Sequence, residues 1–401
     1  MTYLDHAATT PVLPSALEAF VREASRLGNP SSLHSDGRRA RAVLETSRER
    51  IAHALGAESA EVILTAGGCE ADTLAVVGAA RAARRADPGR TRAVTSAVEH
   101  HAVLESVHAL ADEGGEAVLV PVGADGVIDL AALEAEIAEH AARTGVVSVM
   151  WANNETGAIQ PVAEVVELVR RHGGNAVAVH SDAVQAVGHV PVDFGASGLD
   201  ALSLSGHKLG APAGIGALLA QRTLPLAPVV LGSGQERGVR SGTVPVALAT
   251  ALAVAVEHAV ATLEAERARL VPLRDELAAG VLALVPGARL NGPVGPAAGD
   301  GGGRLPGHVH LTFPGADVDA LLFVLDAAGI SASAGAACVA GVTQPSHVLL
   351  AAGDDERDAR SVLRLTLGST TTADDVARVL AVLPDAVERA RSAGRVAARR
   401  G

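Results

Sequence analysis

Seven short aliphatic runs punctuate the first 220 residues: EVILT (61–65), RAVTS (92–96), EAVLVP (116–121), GVVSVMW (145–151), NAVAVHSD (175–182), DALSLS (200–205) and IGALLA (215–220). Each has the length and the aliphatic content of a buried strand. Between several of them lie segments of helical period, DLAALEAEIAEHAA and PVAEVVELVRRHGG, the second with Pro161 at its start and Gly173 at its end. This alternation commits the chain to an α/β domain whose mainly parallel sheet carries helices on both faces. Ligands of such sheets sit beyond the carboxyl ends of the strands. Asn154, Asp182 and Lys208 each follow an apolar run and are expected to converge there.

The texture changes after about residue 260. A charged helical segment, LEAERARLVPLRDELAAGV, leads to the glycine-rich stretch GPVGPAAGDGGGRLPG (292–307), which completes no nucleotide-binding pattern and reads as a flexible surface loop. From HVHLTF (308–313) onward, strands and helices alternate again, as in a smaller α+β unit. The expected division is a large α/β domain over 15–260 and a small α+β domain over 261–401 that also takes in segment 1–14. At 401 residues the chain is long enough for both.

Composition narrows the class of function. A net charge of −12 disfavours general binding to nucleic acid, which needs concentrated positive charge. The amino terminus, MTYLDHAATTPV, lacks the basic start and apolar core of an export signal. The run ALATALAVAVEHAV is interrupted by Thr250, Glu257 and His258, so no membrane span is expected. Two cysteines, Cys69 and Cys338, cannot build a disulfide framework. A cytoplasmic protein is the expectation.

Lys208, in SLSGHKLGAP, is the single lysine beside thirty-two arginines. A guanidinium stays protonated, whereas an amine can lose its proton and attack a carbonyl, so a position that keeps lysine against this bias is a candidate for amine chemistry. Asp182 ends a strand and suits either a helix cap or a carboxylate that keeps a pyridine ring nitrogen protonated. LTAGGCEA (64–71) reads as a strand end, two glycines and a helix start, where backbone N–H groups can meet a phosphate. In EHHAVLE (99–105), His100 can stack on an aromatic ring or move protons, while its neighbour His101 points elsewhere. Adjacent histidines with no completing carboxylate or cysteine cluster make a poor metal site. Cys338 lies among small residues in SASAGAACVAG (331–341), a segment pliable enough to carry a thiolate to a substrate.

Taken together, YLDHAATTPV (3–12), GNPSSLH (28–34), EHHAV (99–103), NNETG (153–157), SDAVQAVG (181–188), SGHK (205–208), ERGVRSGTVPV (236–246), SAGAAC (333–338) and LRLTLG (363–368) resemble the cysteine desulfurases that serve iron–sulfur assembly. These are class V aminotransferases of the fold-type I group that uses pyridoxal 5′-phosphate. The stretches run in the family's order from residue 3 to about 370. The resemblance implies a seven-stranded, mainly parallel sheet and a homodimer. It further implies that Lys208 holds the cofactor covalently, Asp182 pairs with the ring nitrogen, Gln185 and Asn154 bond the region of the ring's phenolic oxygen, and His100 stacks on the ring. Ser205 and His207 would contact the phosphate beside the turn at Gly68 and Cys69, with Thr243 arriving from the second subunit. Arg364, with Asn154 close to it, would receive the carboxylate of L-cysteine. Cys338 would accept the sulfur and pass it to an acceptor protein.

The chain departs from the family pattern in two places. Gly68-Cys69-Glu70 stands where Ala-Thr-Glu is usual, and Gly210-Ala211-Pro212 follows the lysine where a bulky residue and Gly-Pro are usual. Three other readings share much of this pattern. An aminotransferase needs no mobile cysteine, so SAGAAC speaks against it. A selenocysteine lyase could use the same loop. A catalytically silent scaffold would retain the fold without the chemistry.

Overall fold

The computed structural model describes residues 1–294, 303–335 and 344–395 in full, and the backbone alone of 338–339, 342–343 and 396–397. The centre of the glycine-rich stretch expected as a surface loop, 295–302, lies outside the described residues.

All seven aliphatic runs form strands of one sheet: β1 (Val62–Thr65), β2 (Arg92–Ser96), β3 (Glu116–Val120), β4 (Thr144–Ser148), β5 (Ala178–Asp182), β6 (Ala201–Ser205) and β7 (Gly216–Ala220). Their spatial order is β1-β7-β6-β5-β4-β2-β3. Pairings from β6 through to β3 are parallel, and β7 runs antiparallel to both of its neighbours. Six of these strands are buried along their whole length or all but one residue, as expected when helices cover both faces.

Helices α1 (Gly68–Ala86), α2 (His101–Asp112), α3 (Leu130–His140) and α4 (Val162–Gly173) connect successive strands. Asp129 starts α3 by accepting the N–H groups of Ala131 and Ala132 at 2.9 and 3.0 Å. Pro161 occupies the residue just before α4, where its missing N–H costs nothing, and Gly174 ends that helix at φ 58°.

The long helix α5 (Val246–Leu284) runs straight through residue 260. Ala249 to Val256 pack into the core of the large sheet, whereas Leu270 to Val281 pack into a second core with Leu4, Phe313, Leu365 and Val387. By length and composition α5 could cross a membrane, but these burials make it the element that both cores share. The second core is built on the antiparallel strands β8 (Arg289–Leu290), β9 (His308–Thr312) and β10 (Val362–Thr366), ordered β10-β9-β8. The chain's first strand, Thr2–Tyr3, pairs with Ile330–Ser331, so residues 1–14 begin against this second core and then cross to the large sheet.

A buried ion pair fixes the segment that follows β7. Glu236 has a φ of 47°, unusual for a residue with a side chain. Its carboxylate accepts from both guanidinium nitrogens of Arg48 and from Leu64 N at 2.7 Å, while Arg48 also donates to Val62 O. These bonds over-determine the strained backbone. Glu236→Ala strands the Arg48 guanidinium and the Leu64 N–H in a dry site, and should lower stability by about 3 kcal/mol. A urea midpoint equal to that of the parent would show that the pair contributes nothing.

Candidate active site

The carboxyl ends of β1, β2, β4, β5 and β6 open on one cavity of about 710 Å³. Because β7 is reversed, its amino-terminal approach, Ala213 and Gly214, lies on the same rim. The turn after β1 contributes Gly68 and Cys69, the turn after β2 contributes His100, and the loop after β4 contributes Met150, Ala152 and Asn154. From β5 come Asp182 and Gln185, and from β6 come Ser205, His207 and Lys208. Arg364 reaches the same cavity from β10. The expected convergence of Asn154, Asp182 and Lys208 is therefore present.

Lys208 lies in the single turn after β6, and its Nζ donates to the carbonyls of Ala7 and Ala8 at 2.5 and 2.7 Å. Burial lowers its pKa to about 8, and the guanidinium of Arg364 adds to the effect. The amine is thus much closer to its nucleophilic, neutral form than a solvent-exposed lysine. Ala7 O also accepts from Gln185 Nε2 at 2.9 Å, so one carbonyl ties the lysine to the residue expected beside the ring oxygen.

Asp182 is 5% exposed, and one of its oxygens accepts the Val184 N–H at 2.8 Å. Burial raises its pKa, while the neighbouring His100 and Lys208 oppose that rise. His100 caps α2: its Nδ1 accepts the N–H of Ala102 at 3.1 Å. In the neutral ring this bond leaves the proton on Nε2. Burial pushes its pKa down, which favours that neutral ring. His101, by contrast, is exposed, its ring tilted by 50° against that of His347 at 4.7 Å.

Arg364 is 4% exposed and donates to Asn154 O at 2.9 Å and to Asp5 Oδ1 at 2.8 Å. Its Nε has no partner among the described residues, which leaves one planar donor for an incoming carboxylate. Ser333 exchanges two backbone hydrogen bonds with Arg364, and Ser333 and Gly335 line the cavity. The segment leading to Cys338 therefore starts at the cavity wall. Cys338 itself begins a two-residue strand paired with Val342–Thr343, and its side chain lies outside the described residues. Thr243 is exposed and does not line its own chain's cavity.

The residues present fit pyridoxal 5′-phosphate. Helix α1 begins at Gly68 with no side chain capping it, so its first backbone N–H groups are free to bind a phosphate. Ser205, 3% exposed, stands beside this turn. A buried carboxylate and a near-neutral amine bound the other end. Cys69 supplies a thiol whose pKa burial pushes up, so it adds no anionic charge against a phosphate at neutral pH. His207 is half-buried and bonds Thr9 Oγ1 at 3.2 Å. The glycine after Leu209 also has a local reason: Gly210 adopts φ 87°, and a Cβ there would lie 2.7 Å from Leu13 Cγ.

Several residues at the site were not singled out in the sequence. Asp5, Ala7 and Ala8 were parts of a recognised stretch, but nothing in their spacing announced contact with Lys208 or Arg364. Asp72 had a signal: it is a charged residue among Ala71, Leu74, Ala75 and Val76, on the buried face of α1.

A model of the aminotransferase class-V family matches residues 2–379. The chain is 51% identical over 399 residues to the IscS-like cysteine desulfurase of Mycobacterium tuberculosis, covering 99% of each. It is 39% identical to the cysteine desulfurase NifS of Azotobacter vinelandii, over 97% of this chain and 93% of that one. Among solved structures, a NifS-like protein superposes with a TM-score of 0.86 at 32% identity, covering 96% of this chain and 99% of the other.

The phosphate turn gives a direct prediction. Gly216 packs under it so closely that a Cβ would lie 2.7 Å from both Gly67 C and Leu204 O. Gly216→Ala should cost about 1–3 kcal/mol in stability and weaken pyridoxal phosphate uptake by roughly tenfold, one such increment being about 1.4 kcal/mol of binding. Urea unfolding and an absorbance titration read the two effects; parent-like values in both would show that the turn has room.

Proposed function

The chain belongs to the aminotransferase class-V family, among its cysteine desulfurases, and from that premise we propose that Cys338 takes the sulfur of L-cysteine. The net change is L-cysteine plus the Cys338 thiolate giving L-alanine plus a Cys338 persulfide anion. An S–S bond forms, the substrate C–S bond breaks, and the thiol proton of the substrate ends on carbon. No external oxidant or reductant is needed. The observation that carries this reading is the convergence of an amine of lowered pKa, a buried carboxylate and a buried guanidinium on one cavity whose wall leads into the Cys338 segment.

Pyridoxal phosphate, when bound, supplies an electron sink for the carbon next to the substrate amine. The chain's own residues do the rest. Arg364 orients the substrate carboxylate with Asn154 beside it. Lys208, held by the Ala7 and Ala8 carbonyls, accepts and returns a proton as a base that is not permanently charged. Asp182 keeps a negative charge at the ring-nitrogen end. His100, neutral and with its proton on Nε2, would stack on the ring and could hand a proton to the departing group. Ser205, His207 and the turn at Gly68 and Cys69 hold the phosphate.

The enzyme is placed in the cytoplasm as a homodimer, with Thr243 reaching the phosphate from the second copy of the chain. The small unit, 261–401 with residues 1–14, carries the sulfur-accepting segment. The persulfide then leaves to an acceptor protein, in iron–sulfur assembly or thiolation.

Cys338→Ser should keep the yellow colour of the lysine-linked cofactor yet lose cysteine-dependent persulfide. Alanine release without added thiol should fall by about two orders of magnitude or more, the scale on which loss of a nucleophile acts. Lys208→Ala should lose the colour as well. Full turnover by Cys338→Ser without thiol would refute the relay, and alanine release from selenocysteine alone would replace the desulfurase reading.

A further inference from the structure

Asp72 is 1% exposed, lines the cavity, and has an oxygen, Oδ1, with no hydrogen-bond partner among the described residues. It sits on the first turns of α1, below Asp182. One polar atom each of Asp72, His100 and Asp182 lie within 4.8 Å of one another. The cofactor role given to Asp182 uses one carboxylate and leaves the second unexplained.

The surroundings of the two carboxyls differ. Asp182 receives the Val184 N–H and faces His100 and Lys208. Asp72 faces Asp182 from β5, His180 from the same strand, Glu99 and His100 from the turn after β2, and Cys69 on its own helix. His180 offers it no cation. Its Nε2 is 3.8 Å from Asp72 Oδ1, but full burial holds the imidazole pKa at about 3, and the ring is engaged at 2.8 Å by Ser148 on one side and by Ser203 on the other. Among the described residues, the Ser203 hydroxyl is the hydrogen-bonding group that opposes the rise of the Asp72 pKa. Two carboxylates so close and so dry do not both ionise. The proton belongs on the one with fewer donors, and Asp72 is raised further by burial than its single hydrogen bond can offset.

We propose that Asp72 is a positioning residue that carries a proton, forming with Asp182 a carboxyl pair of single negative charge at the ring-nitrogen end of the cofactor pocket. The neutral Asp72 leaves Asp182 as the only anion there. It also occupies the space beside that carboxylate without placing a second charge against it. The purpose of the pair rests on the cofactor reading above; its protonation does not.

Infrared spectroscopy tests this on the cofactor-free and the loaded protein at neutral pH after dialysis against a chelator. Protein grown with carboxyl-¹³C aspartate separates an aspartic acid C=O stretch from that of Glu99, whose own pKa burial pushes up to about 8. The expected result is one isotope-sensitive protonated carboxyl band, present with and without cofactor, lost in Asp72→Asn and retained in Asp182→Asn. The labelled parent protein alone suffices if a variant does not fold, since absence of the band overturns the proposal. So does a band that vanishes on cofactor loading, appears only after chelation, or survives in Asp72→Asn. A protein that never takes up cofactor would sink the functional reading while leaving the carboxyl result in the cofactor-free form intact.

Discussion

The site depends on the desolvation of one amine. Lys208 is the chain's single lysine, and the fold places it where water is scarce, an arginine is near, and two main-chain carbonyls fix its direction. The carbonyls come from Ala7 and Ala8, 201 and 200 residues away, so the amino-terminal segment is part of the geometry of the cavity. The same segment sends Asp5 to Arg364 and Ala7 O to Gln185. A chain that begins against the second core and crosses to the large sheet thereby couples the lysine to the arginine expected to hold the substrate.

The sheet supplies the second constraint. Parallel strands deliver their carboxyl ends to one edge, and polar residues there reach the cavity, among them His100 after β2, Asn154 after β4, Asp182 at the end of β5 and Lys208 after β6. The reversed strand β7 brings its amino-terminal approach to that edge instead, and its Gly216 lets the glycine turn after β1 settle against it. Position in the topology therefore decides which chemistry a residue can join. Asp182 and Asp72 are both buried aspartates, yet Asp182 receives a backbone N–H and faces Lys208 as well as His100, whereas Asp72 Oδ1 has no hydrogen-bond partner among the described residues.

Much of this was readable in the sequence, for physical reasons that differ by element. The seven strands were visible because buried strands must be aliphatic over their whole length, and each run matches its strand to within a few residues. The cavity residues that end strands were visible because a polar group after an apolar run has few structural roles. Asp5, Ala7 and Ala8 were hidden, since a main-chain carbonyl leaves no trace in side-chain identity and their contacts span the chain. Helix α5 was read as two textures and is one continuous element, because its first half serves one core and its charged second half serves another. The family resemblance added the cofactor and the sulfur chemistry, which spacing alone does not specify.

The surroundings of Lys208 lower the pKa of its amine to about 8. Because there is one lysine, protein labelled with ¹³C at lysine Cε gives one lysine resonance, and its shift against pH in the cofactor-free protein measures the amine directly. The account predicts a midpoint at about 8. A midpoint near the ordinary lysine value of about 10.4 would mean that the pocket leaves the amine solvated and charged, and would contradict the account.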